Sequence, residues 1–206
     1  APAPAPAPAP AKQQKKQKQK QPQPKKKKGN APTAEQPLFT KLDLRVGKIV
    51  KVWPHPKADR LWCEEIDVGE GEPRQVASGL REWYSEEEML GRRLVAVCNL
   101  KPRNLVGFKS HGMVLCAKNT DADGKDQKVE FVAPPDGAEV GDRIGLEGLE
   151  MVDAISPAQV QKQKIWEAIQ PKFSTSGSCV AMFEGKPMTT AAGALSAPSV
   201  ADGAIS

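Results

Sequence analysis

The sequence predicts a mostly β protein, a five-stranded barrel followed by a mixed α+β extension and preceded by a disordered tail. Three observations carry this. Large apolar side chains are nearly absent from residues 1–37 and frequent from Leu38 onward, and a stretch without them cannot offset the entropy of ordering itself. Beyond Leu38 the apolar residues come in short alternating sets separated by Gly and Pro. Finally, Leu94–Cys98 and Met113–Ala117 are unbroken apolar runs of five, the pattern of strands buried on both faces. With 206 residues and 39% hydrophobic content, there is enough apolar material for a real core.

Residues 1–11 alternate Ala and Pro, which favours an extended polyproline spacer. Residues 12–28 hold nine lysines and no acid, ending in Lys25, Lys26, Lys27 and Lys28. No aromatic residue interrupts them, so they read as nonspecific phosphate contacts whose benefit disappears in salt. Leu42, Leu44 and Val46 share one parity, and Val50 and Val52 rejoin it beyond Gly47, predicting a bent first strand. Pro54 and Pro56 deny the next residues helix or central-strand geometry, so His55 to Arg60 is a turn.

Trp62, Ile66 and Val68 mark a second strand closed by Gly69-Glu70-Gly71, and Arg74 to Ala77 a third. Ser85 before three glutamates is a helix start, the hydroxyl capping and the acids facing the positive helix end. The two apolar runs are strands four and five. Five strands with a helix between the third and fourth is the order of an OB barrel. The extension offers a strand at Val129–Val132, a Pro134-Pro135-Asp136-Gly137 turn and a helix from Pro157 to Ile169. Ser156 caps that helix and Pro171 lies just past its end, while Ile165, Trp166 and Ile169 form a core-facing stripe. Ser178 to Phe183 is a final strand, and residues 187–202 read as flexible.

Removing the nine tail lysines leaves 21 basic against 25 acidic residues. Within residues 38–118 the balance is 14 basic to 11 acidic, and within 119–206 it is 7 to 13. The positive field is confined to the tail and the first half, which argues for a covering or scaffolding role for the second. Cys63, Cys98, Cys116 and Cys179 show no paired spacing and read as small buried hydrophobes in a reducing, cytoplasmic setting. No apolar run approaches the length of a membrane span and no signal peptide precedes the fold. Asn119, Asp121, Asp123, Gly124 and Glu130 match positions of a calcium loop, but strand-like flanks make a hairpin turn the better reading. No metal, cofactor or catalytic cluster is expected, because His, Cys and carboxylates nowhere gather at catalytic spacing.

The connection between strands four and five concentrates Asn99, Lys101, Arg103, Lys109 and Ser110. A polar loop at a barrel mouth is where OB folds meet oligonucleotides. Five signatures stand in order here: Asp43-Leu44-Arg45-Val46-Gly47, His55-Pro56-Lys57-Ala58-Asp59-Arg60-Leu61, Ser78-Gly79-Leu80, Asn99-Leu100-Lys101-Pro102 and Gly107-Phe108-Lys109-Ser110-His111-Gly112-Met113. With Lys164-Ile165-Trp166-Glu167 and Cys179-Val180-Ala181 beyond them, residues 38–206 resemble the tRNA-binding OB-fold family. That family includes the appended domains of methionyl-tRNA synthetases and the endothelial-monocyte-activating polypeptide group of accessory proteins.

The resemblance implies a non-enzymatic tRNA-binding domain at 38–145 and, at 146–206, an extension that takes the place of a second subunit in a monomer. It implies partners in tRNA and an aminoacyl-tRNA synthetase, methionyl first, with a released signalling polypeptide as the alternative. Lys57, Arg60, Lys101, Arg103 and Lys109 would meet phosphates. Asn99 and Ser110 would hydrogen-bond a base edge or 2′-OH, Met113 would offer an apolar platform, and Ser78 would join the tRNA-binding set.

Overall fold

The computed structural model describes residues 36–206. The Ala-Pro spacer and the lysine run with Lys25, Lys26, Lys27 and Lys28 lie outside the described residues. Strand β1 (Leu44–Pro54) pairs antiparallel with β2 (Trp62–Asp67) on one side and with β4 (Arg93–Val97) on the other. Strand β3 (Arg74–Ser78) flanks β2, and β7 (Met113–Val114) flanks β4, giving the order β3-β2-β1-β4-β7. The sheet curls almost shut, since the His111 N–H reaches the Gln75 carbonyl at 2.8 Å. Between β3 and β4 lies α1 (Glu86–Met89), opened by a full capping box in which Ser85 and Glu88 satisfy each other's backbone N–H.

The predicted bend in β1 is present, but Val50 does not rejoin the inner face. A bulge between Ile49 and Lys51 adds a residue and flips the parity. Ile49 and Val52 therefore point into the barrel while Val50 is 43% exposed. Leu44 and Val46, before the bulge, face the other way, into a second core. Gly47 sits at the crossover, where a Cβ would come within 2.8 Å of Ile66 Cγ2.

The two apolar runs are buried on both faces, for a specific reason. Leu94, Ala96 and Cys98 fill the barrel interior with Trp62, Ile66 and Met89. Val95 and Val97 look outward, where the extension covers them. The fifth predicted strand is broken at Leu115, so that β7 stays with the barrel while β8 (Cys116–Thr120) turns to pair with β9 (Asp126–Phe131). The β8–β9 connection is a hairpin in which Asp121 Oδ1 accepts from the N–H groups of Asp123 and Lys125.

The extension departs from expectation in two places. The helix predicted over Pro157–Ile169 is two helices, α2 (Pro157–Lys162) and α3 (Ile165–Ile169), separated by Lys164 at φ 50°. Val160 and Ile165, five residues apart, would lie about 140° apart on one continuous helix. The left-handed break restores the phase, and both are buried with Ile169. Residues 187–202 are not loose. After β10 (Gly145–Leu146), β11 (Phe173–Thr175) and β12 (Ala181–Phe183) comes β13 (Lys186–Thr190), paired with β14 (Gly193–Ala194). Met188, Leu195, Ala197 and Val200 are fully buried in the second core. Strand β15 (Ala204–Ile205) inserts between β11 and β8, so one sheet runs β10-β13-β12-β11-β15-β8-β9 from the extension into the barrel.

Candidate nucleic-acid interface

The segment after β4 is built as a hairpin rather than a loop. Strands β5 (Arg103–Leu105) and β6 (Phe108–Ser110) pair antiparallel across Val106 and Gly107, both at positive φ (51° and 92°), as a two-residue hairpin turn requires. Glycine accepts that conformation freely, whereas a β-branched valine is strained in it. Asn104 Oδ1 supports the turn by accepting from the Gly107 N–H at 2.7 Å. This turn has little signature in residue order, since Val-Gly lacks the Asn or Asp that marks such pairs. The register sets Arg103 on one face with Leu105, Phe108 and Ser110, and Lys109 on the other with Asn104. Lys101, Arg103 and Lys109 are all exposed.

The turn after β1 docks onto this hairpin. His55 is buried; its Nδ1 accepts from the Lys57 N–H at 3.1 Å and its Nε2 lies 3.2 Å from the Leu105 carbonyl, so the ring fits as the neutral Nε2–H tautomer. Phe108 meets Trp53 and His55 edge-on, with centroids at 6.0 and 6.2 Å. Lys51 places its ammonium 5.0 Å from the Trp53 centroid. The result is a Trp53–Phe108 platform with the Lys51 ammonium over the indole and the Lys57 turn docked behind it, a cation-and-ring pairing of the kind that single-stranded nucleic-acid sites use, while Lys109 stands on the opposite face of the hairpin. Sequence reasoning missed Lys51, Trp53 and Phe108, because the bulge and hairpin that unite them leave no composition signal. Arg60 is exposed and pairs loosely with Glu82 at 3.2 Å.

Three predicted contact residues are instead committed inside the fold. Asn99 is buried; its Oδ1 accepts from the Asp43 N–H at 2.9 Å, and its Nδ2 donates to the carbonyls of Lys41 and Ile155 at 2.8 and 2.9 Å. Both of its N–H donors are used and the amide is buried, which keeps it from reaching a base. Ser110 Oγ donates to the Gly112 carbonyl and accepts from the Ala77 N–H, holding β6 against β3. Ser78 donates to Glu64 Oε1 within the barrel. All three are positioning residues. Met113, half-buried, keeps an accessible side.

Arg74 braces the same region. It pairs bidentately with Glu70 at 2.7 Å and donates to the carbonyls of Cys98 and His111, the two ends of the segment carrying the hairpin. The hydrogen bonds to Arg74 hold the Glu70 carboxyl below the usual range. Burial pushes the thiols of Cys98 and Cys116 up to about 12, so neither is a nucleophile near neutrality. Burial also pushes the Glu64 carboxyl up to about 7, against the opposing Ser78 hydrogen bond.

A family model described as "Putative tRNA binding domain" matches residues 44–143. The chain is 42% identical over 178 residues to a cytoplasmic methionine–tRNA ligase of Arabidopsis thaliana, covering 84% of this chain and 21% of that protein. It is 44% identical over 161 residues to aminoacyl tRNA synthase complex-interacting multifunctional protein 1 of Cricetulus griseus, covering 76% of this chain and 42% of that protein. A cytoplasmic tyrosine–tRNA ligase of Danio rerio is 40% identical over 170 residues, covering 81% and 31%. The chain thus spans less than half the length of these relatives. The crystal structure of the C-terminal domain of Plasmodium vivax p43 superposes with a TM-score of 0.71 at 35% identity, covering 82% of this chain and 98% of that one. The match extends over nearly all of that domain, at an identity that sets the family, and this chain belongs to the tRNA-binding domain family.

Proposed function

We propose that the chain holds tRNA for an aminoacyl-tRNA synthetase, methionyl first, either fused to it or as an accessory, in the cytoplasm. The observation that carries this is the set of exposed cations Lys101, Arg103 and Lys109 on the β5–β6 hairpin and its lead-in, which docks through Phe108 onto Trp53 and its neighbour Lys51; exposed Lys57 lies on the adjoining turn. Exposed cations meet phosphates, while His55, Ser78, Asn99, Ser110 and Arg74 fix the elements that present them. Tethering tRNA near a catalytic domain raises its local concentration without any new active-site contact. The lysine tail adds sequence-blind attraction.

In the same proposal the chain is a monomer. The outward faces of β1, β4 and β8, with Leu44, Val46, Val95, Val97, Leu115 and Ala117, are covered by the extension's own apolar residues, where a second subunit would otherwise sit. Changing Lys101, Arg103 and Lys109 together to Ala is expected to weaken tRNA binding and flatten its salt dependence by about 2 slope units, near 0.7–0.9 per phosphate contact. Changing Lys162, Lys164 and Lys172 is expected to do less. Gel shifts across a salt series decide it, and equal losses from both triplets would replace this surface with diffuse electrostatics.

A further inference from the structure

Between the β5–β6 hairpin and helices α2 and α3 lies a cavity of about 310 Å³ that neither half of the molecule forms alone. Lys101, Arg103 and Met113 line it from the barrel side, and Gln161, Trp166 and Glu167 from the extension. Trp166 is half-buried, its indole resting against Phe173 with centroids 6.3 Å apart. The volume falls at the lower end of small-ligand pockets. Its lining combines an aromatic ring, a thioether, a carboxylate, an amide and two cations.

We propose that this cavity captures one unpaired nucleobase of the bound RNA, guanine in preference to the others, a refinement that rests on the tRNA-binding reading above. The indole of Trp166 and the side chain of Met113 supply the stacking surfaces that a flat base needs. Two cations on one wall and a carboxylate on the other fix its direction. The phosphates lie at Lys101 and Arg103, since Glu167 repels them, and the base edge points toward α3. There Glu167 offers only acceptors. Guanine is the base with adjacent N1–H and N2–H donors on its Watson–Crick edge, so it matches a carboxylate bidentately, while the Gln161 amide can both donate and accept.

Because the walls come from both halves, the extension acts here as a binding element as well as a cover. The net acidity of residues 119–206 is then no obstacle, since a single carboxylate facing a base edge is what selectivity needs.

The test uses the full chain, bulk tRNA and two synthetic RNA hairpins that differ at one bulged position, guanine in one and an abasic ribose in the other, with a third that carries adenine there and that wild type is expected to bind less tightly than the guanine hairpin. Wild type is expected to favour the guanine hairpin about tenfold, the scale of one base–aromatic stack. Trp166→Ala is expected to abolish that preference and Trp166→Phe to keep most of it, which a merely structural loss would not reproduce. Glu167→Ala, at an exposed position, is expected to lose the preference for guanine over adenine at the bulge while the preference over the abasic site survives. If Trp166→Ala fails to fold, the Phe and Glu167 variants decide alone. Intact tRNA binding with equal affinity for the two hairpins overturns the base pocket and leaves the tRNA reading standing. Wild-type protein that binds neither tRNA nor hairpin overturns both.

Discussion

At the scale of single residues, chemistry that looks like recognition can belong to construction. Asn99 stood beside Lys101 in a polar segment, and nothing in the sequence shows that its amide is spent on Lys41, Asp43 and Ile155. Those partners lie 56 to 58 positions away, beyond the reach of any local pattern. Replacing Asn99 with Ala leaves the Asp43 N–H and the Ile155 carbonyl unsatisfied, the Lys41 carbonyl still accepting from the Ile155 N–H, and should cost about 3 kcal/mol of stability. Replacing exposed Lys101 with Ala should stay within about 0.5 kcal/mol; urea unfolding of the two variants checks the contrast. Glu64 is the other buried polar residue with a measurable consequence. Its Oε2 has no hydrogen-bond partner among the described residues, and burial raises its carboxyl from an ordinary 4.5 to about 7. The folded protein binds that proton more tightly than the unfolded chain, so stability falls as pH rises between those two values. Above pH 7 the loss is complete, about 3 kcal/mol. Glu64→Gln should flatten the decline and leave the variant more stable than wild type at pH 8, read from denaturation midpoints at pH 5 and pH 8.

At the scale of elements, the sequence was legible where periodicity was uninterrupted. The Ser85 cap, the hairpin around Asp121 and the doubly buried β4 could all be read from residue order alone. It failed where one residue changed the phase. The bulge at Val50 reversed the inward face of β1, and the left-handed Lys164 split one expected helix in two. Both are single backbone choices made to satisfy packing elsewhere. The segment 187–202 misled for a different reason, because its buried residues, Met188, Leu195, Ala197 and Val200, are scattered among Ala, Ser and Gly and form no period. The candidate interface suffered the same way, as Trp53 and Phe108 meet only once the hairpin has folded. Strand β15 offers a test at this scale. A Cβ on Gly203 would lie 2.4 Å from Val200 Cγ1 and 2.6 Å from the Lys118 carbonyl. Gly203→Ala should push β15 off β8 and lower stability by more than about 2 kcal/mol, with faster amide exchange in β8 and β11 than in β1 or β2.

At the scale of the whole molecule, two apolar cores share one set of strands. The barrel core lies inside the curled sheet, and the second core lies between that sheet's outer face and the extension. Removing residues 150–206 would uncover the outward residues of β1, β4 and β8, a contiguous apolar face that drives association. The truncated chain is expected to form dimers or aggregates with weakened tRNA binding, while the full chain stays monomeric; light scattering that reports a soluble monomer for the truncation would refute the covering role. The charge division fits the same plan, with the basic half carrying the candidate interface and the acidic half covering the barrel's outer face. One further consequence follows from where β15 lies. Its residues come after every other strand of the sheet in the chain, yet they occupy a position between β11 and β8. On the ribosome, β8 and β9 are therefore made long before the neighbour that joins them to β11, and the sheet cannot close until Ala204 and Ile205 have emerged. A stall late in synthesis would leave a finished barrel with an uncovered flank, exposed to chaperones and to other nascent chains.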